Sequence, residues 1–148
     1  MAEVHRFALV EYTPDEMFEL VRQVPRYPEF LSWVRTAEVH EQEEDRQVAS
    51  LEVTLGGIRR RFTTANHLQR PECLEIRLKE GPFEQLTGCW RFRPVGHGCK
   101  VSLDLVFSLP GSAWLLPFRR GFGRMADRMV DDFCRRADRI YGQKSAAG

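Results

Sequence analysis

Acid–base, nucleophilic and metal chemistry all need side chains that converge, so the histidines, cysteines and strand carboxylates are weighed first. The four histidines (His5, His40, His67, His97) and four cysteines (Cys73, Cys89, Cys99, Cys134) are scattered along 148 residues without a C-x-x-C pair. That spacing argues against zinc, and the cysteines read as reduced, buried or half-buried thiols. Glu52, Glu75 and Asp104 fall in the polar phase of alternating segments, where a side chain faces solvent rather than a substrate. Phosphate-loop, nucleophile-elbow, zincin and dinucleotide patterns are missing, and Gly121-Phe122-Gly123 lacks a third glycine. The expectation is a protein without catalytic residues, metal or cofactor.

Charge is the second chemistry to weigh. A formal net charge of +1 does not suit a strongly basic nucleic-acid binder, and DNA is not an expected partner. Arginines are nonetheless concentrated locally. Arg59-Arg60-Arg61 follows a Gly-Gly turn, and period-two geometry puts Arg59 and Arg61 on one side of a strand with Arg60 on the other. Arg119, Arg120, Arg124, Arg128, Arg135, Arg136 and Arg139 lie in the last helical segment, interleaved with Asp127, Asp131, Asp132 and Asp138. Asp131 with Arg135 and Asp132 with Arg136 sit at i,i+4, so that helix face reads as solvated and self-paired. Arg59 and Arg61, with no acid nearby in sequence, are the expected contacts for a phosphate backbone.

The elements that position these groups are legible from periodicity. Val4 to Tyr12 reads as a strand. Thr13, Pro14 and Glu16 form a helix start with a capping box, and Pro25 and Pro28 restrict the next segment to a short turn over Tyr27–Leu31. Alternation then predicts strands around 50–55, 58–64, 74–79, 86–93 and 101–108, joined by turns at Gly56-Gly57 and Gly96-His97-Gly98. From about Ser112 to Tyr141 the period becomes helical, with Pro117 kinking or restarting the helix and Gly142 ending it. One domain over 1–143 with a tail at 144–148 is the resulting expectation, in the α+β class. A bent antiparallel sheet must cover its apolar face, and only the last helix is long enough to do so. A gap between the two would be a natural ligand site.

Three segments carry a family resemblance. Tyr27-Pro28-Glu29-Phe30-Leu31-Ser32-Trp33 resembles the Y-P-x-F-L-P-W signature of the coenzyme-Q-binding START-like proteins. Gly81-Pro82-Phe83-Glu84-Gln85-Leu86-Thr87-Gly88-Cys89-Trp90-Arg91-Phe92 resembles their G-P-F-x-x-L-x-G-x-W-x-F signature, and Met129 to Ala137 resembles their M-V-D-x-F-x-x-R-A helix. Ser32 and Val34 depart from the usual proline and cysteine. The resemblance implies the helix-grip fold of the polyketide cyclase and lipid transport superfamily, with a hydrophobic tunnel under the last helix. It implies ubiquinone or another polyprenyl lipid as ligand, held by Tyr27, Phe30, Leu31, Trp33, Phe83, Leu86, Trp90, Phe92, Phe122, Met125, Met129 and Phe133. Its bacterial members carry the name ribosome association toxin, which implies the large ribosomal subunit as an alternative partner. Asp131 and Arg136 are expected to fasten the helix rather than to catalyse. A cytoplasmic protein, with transient contact at the inner membrane, is the expected setting.

Overall fold

The computed structural model describes the backbone of residues 1–147 and the side chains of residues 1–142. Seven strands form one antiparallel sheet: β1 (Ala2–Val10), β2 (Val34–Gln42), β3 (Arg46–Leu55), β4 (Ile58–Gln69), β5 (Cys73–Glu80), β6 (Gln85–Val95) and β7 (Gly98–Ser108). Helix α1 (Pro14–Arg22) and a 3-10 turn (Val24–Glu29) separate β1 from β2, and α2 (Leu116–Ala147) comes after a short 3-10 turn at Ala113–Leu115. The spatial order β1-β7-β6-β5-β4-β3-β2 is a meander from β2 to β7, with β1 added beside the last strand.

Local chemistry accounts for the elements. Thr13 and Glu16 make both hydrogen bonds of the capping box, with Glu16 N to Thr13 Oγ1 at 3.1 Å and Thr13 N to Glu16 Oε1 at 3.0 Å. Pro117 takes the second position of α2, where its missing N–H removes no helical bond, so it starts the helix without kinking it. Gly142 does not stop α2, which continues to Ala147. The side chains expected in a tail at 144–148 lie outside the described residues. Strand β2, absent from the periodicity reading, carries register shifts between Val34/Thr36 and Val39/Glu41 that break its alternation.

The inner face of the curved sheet packs on α1 and α2 through two apolar clusters. One gathers Phe18, Tyr27, Trp90, Phe92 and Phe133. The other gathers Phe62, Phe83, Phe107, Phe118 and Phe122. Trp33, Leu51 and Met129 pack against both. At the far end the β3–β4 hairpin is locked onto α2. A Cβ on Gly56, whose φ is +59°, would meet Pro117 O at 2.1 Å, and one on Gly121 would meet Gly56 N at 2.9 Å. Both glycines are there because backbone meets backbone.

Candidate functional sites: an interior void and an arginine-bearing end

Between the two clusters lies an internal void of about 70 Å³. Of the expected ligand residues, Tyr27, Trp33, Leu86, Trp90, Phe122, Met125 and Met129 line it. Phe30, Leu31, Phe83, Phe92 and Phe133 lie off this wall. Their rings and branches fill the clusters on either side: Phe133 lies 5.1 Å from both Phe30 and Trp90 between ring centroids, and Phe83 4.9 Å from Phe122. Phe92 and Leu31 are fully buried among their neighbours. The sheet supplies wall residues that motif reading passed over, among them Leu51, Phe62, Thr64, Asn66 and Leu103. Thr64 and Asn66 continue the inward phase of β4 set by Phe62, and a polar residue in an apolar phase is the signal that points to them.

Most of the wall is apolar, with a polar seam. Gln47, wholly buried, donates to Arg22 O at 2.8 Å and to Gln42 Oε1 at 2.9 Å, and accepts from Asn66 Nδ2 at 2.9 Å. Asn66 Oδ1 and Trp33 Nε1 have no hydrogen-bond partner among the described residues. Tyr27 donates its phenol proton to Val21 O, and burial pushes its pKa well up. Ligand pockets usually hold about 300–1,000 Å³, and a water occupies about 30 Å³ of liquid. The void is therefore several-fold smaller than an ordinary ligand pocket and too small as it stands for a polyprenyl quinone.

The outer face of the sheet holds the titratable strand groups. Asp104 accepts from His5 at 2.7 Å and sits 3.6 Å from Arg91. His40 lies 2.7 Å from Ser50 Oγ. The thiols of Cys73 and Cys89 are 3.5 Å apart across β5 and β6, and burial, aided by Cys89, pushes the Cys73 thiol up to about 12, away from reactivity. Among the described residues no group of three or more His, Cys, Asp or Glu could hold a metal ion.

The arginines reverse their expected ranking. Arg59 and Arg61 do share the outer face of β4, but each meets an acid: Arg59 Nε is 3.7 Å from Glu52 of the adjacent β3, and Arg61 reaches across β3 to donate to Glu38 of β2 at 2.9 Å. On α2 the acids are drawn elsewhere. Asp127 accepts from Arg6 of β1 at 2.9 Å, and Asp138 accepts from Tyr12 at 2.5 Å. Asp132 pairs with Arg135 at i,i+3, while Arg136 donates to Glu29 at 2.7 Å and stacks 4.9 Å over Phe30. The expected i,i+4 pairs do not form, and Arg136 fastens α2 as anticipated; Asp131 is exposed and makes no such tie. Arg120, Arg124 and Arg128 are left exposed, about 6 Å apart along the helix, with no ion pair among the described residues.

A family model described as polyketide cyclase/dehydrase and lipid transport matches residues 10–134. A ribosome association toxin, RatA, from Pseudomonas aeruginosa is 40% identical over 140 residues, covering 94% of this chain and 97% of the relative. A mitochondrial coenzyme Q-binding protein, COQ10, from Dictyostelium discoideum is 24% identical, covering 93% of this chain and 69% of the relative. The solution structure of an 18 kDa protein from Caulobacter crescentus superposes with a TM-score of 0.75 at 28% identity, covering 96% of this chain and 99% of that one.

Proposed function

The chain belongs to the polyketide cyclase/dehydrase and lipid transport family, and from that premise we propose that it associates with the ribosome, binding the large subunit and hindering its joining to the small one. The observation that carries this reading is the row Arg120–Arg124–Arg128, whose guanidinium groups face solvent without an acid to neutralise them. Phosphate backbones are bound by such unpaired cations, and a net charge of +1 does not oppose it because Asp127, Asp132 and Asp138 of the same helix are engaged in other contacts, leaving Asp131 as its one free acid among the described residues. The relatives at 40% identity named ribosome association toxin support the same partner, and the 24% relative named for coenzyme Q supports the interior less strongly. The reading places the protein in the cytoplasm. Sedimentation through sucrose gradients at low salt tests it: the protein is expected with free large subunits, and added protein is expected to deplete joined ribosomes. A protein that stays at the top of the gradient contradicts it.

A second reading, a carrier for ubiquinone or a similar lipid, is favoured by the void and by the unpaired Trp33 Nε1 and Asn66 Oδ1. It requires α2 to move, because each buried isoprene unit would bring roughly 3–4 kcal/mol only once there is room for it. Mass spectrometry of lipid extracted from the native protein tests this reading; repeated extracts without a long apolar molecule, with no uptake of added quinone, contradict it.

A further inference from the structure

Resting on the ribosomal reading, we propose that Trp114 is a stacking site for one unpaired RNA base, with the Arg120, Arg124 and Arg128 row taking phosphates further along the same strand. Trp114 is 61% exposed, in contrast to its neighbour Leu115 at 5%. The turn that carries it is pinned, since Leu115 N donates to Ser112 O at 3.1 Å and Arg119 donates to Pro110 O at 3.3 Å. Anchoring Leu115 inward therefore holds the indole outward. Its orientation is fixed from the other side by the β3–β4 hairpin. The Arg60 guanidinium lies 4.8 Å from the ring centroid and itself donates to Arg59 O at 2.7 Å. The close approach of Gly56 to Pro117 and Gly121 keeps the hairpin, and Arg60 with it, against the start of α2.

The result is a flat aromatic surface with a cation on one face and water on the other. A nucleobase suits it, because every base offers a π-face and the charge behind the ring attracts the attached phosphates. Duplex RNA does not expose such a face, so the partner is an unpaired nucleotide in a loop or bulge. A lipid surface suits it less well. Insertion into lipid needs several apolar side chains together, whereas Ser112, Ala113 and Arg60 flank Trp114, and the exposed Phe7, Leu9, Val95 and Ile140 lie on β1, at the β6–β7 turn and towards the far end of α2, leaving Met1, beside Leu109 and Arg119, as the one other large exposed apolar side chain at this end among the described residues.

The test compares Trp114→Ala, Trp114→Phe and Trp114→Leu for binding to purified large subunits across a salt series, with a uridine 12-mer and a 12-base-pair RNA duplex as probes. Unchanged urea midpoints establish that the variants are folded. Trp114→Ala is expected to weaken subunit and 12-mer binding by about tenfold to a hundredfold with the salt slope unchanged. Trp114→Phe is expected to retain most of the affinity, Trp114→Leu to behave as Ala, and the duplex to be insensitive to all three. Wild-type affinity in Trp114→Ala, or in Trp114→Leu, overturns the stack. So does Trp114-dependent binding to phosphatidylglycerol vesicles without Trp114-dependent RNA binding. Failure of the wild-type protein to bind subunits removes the ribosomal reading, and Trp114-dependent binding of the 12-mer then decides the base site separately.

Discussion

The two halves of α2 are built from the same residue types and are fastened in opposite ways. Residues 129–142 are tied to the N-terminal elements by polar side chains: Arg136 to Glu29, Asp138 to Tyr12, and Tyr141 to Glu16 O at 3.0 Å. Residues 116–128 are held by an apolar stripe and by backbone packed on backbone at Gly56 and Gly121, with Arg6–Asp127 the one ion pair of this half among the described residues. The first arrangement uses up most of its charge, with Asp131 and Arg139 left over, and the second leaves a row of three arginines available. Charge content along a helix thus says little about which stretch can meet an anion; the fate of each acid decides it.

Substitutions break that comparison at different places. Phe133→Ala removes the ring around which Tyr27, Phe30 and Trp90 pack, and is expected to cost about 3–5 kcal/mol in urea unfolding. Gly56→Ala forces a Cβ onto Pro117 O in a left-handed backbone and is expected to cost about 2–4 kcal/mol. Because the clash parts the hairpin from α2, subunit binding should also fall even in protein kept folded at low temperature.

Arg136→Met keeps much of the buried stem and leaves the half-exposed Glu29 with Arg26, 3.3 Å away, as its remaining partner. Its expected cost is about 2 kcal/mol at neutral pH, from the lost contacts of a nearly buried guanidinium. The hydrogen bond from Arg136 holds the Glu29 carboxyl below its ordinary 4.5. With the folded value depressed, that stabilisation is present above about pH 4.5 and lost as pH falls through the lower native value. Acid unfolding of Arg136→Met should be correspondingly less steep, and an unchanged acid limb would show that the tie contributes nothing. The smallest effect on stability belongs to the joint change of Arg120, Arg124 and Arg128 to Gln, expected within about 0.5 kcal/mol of wild type because these side chains make no ion pair among the described residues.

What was legible in the sequence divides along similar lines. The capping box, the Gly56-Gly57 turn and the alternating strands β3 to β7 depend on neighbours in sequence, and they appear in the structure. Strand β2 was hidden because two bulges shift its phase. Only part of the void's wall was visible, since the curvature of the sheet decides which inward residues reach the gap; Phe133 points inward yet meets other rings, while Asn66 reaches the void. Pairing of the arginines escapes the sequence for a related reason. Glu52 and Glu38 reach Arg59 and Arg61 through strand register, and Arg6 reaches Asp127 across 121 residues, which no i,i+4 rule can show.

The most direct measurement is the salt dependence of binding to the large ribosomal subunit by the wild type and by Arg120→Gln/Arg124→Gln/Arg128→Gln. Each phosphate contact contributes about 0.7–0.9 to the slope of log affinity against log salt. The wild type is expected to bind at low salt, and the triple variant, equally stable, to bind far more weakly with a slope shallower by about two to three. A triple variant that binds with wild-type affinity and slope would contradict the assignment of this helix half to the ribosome.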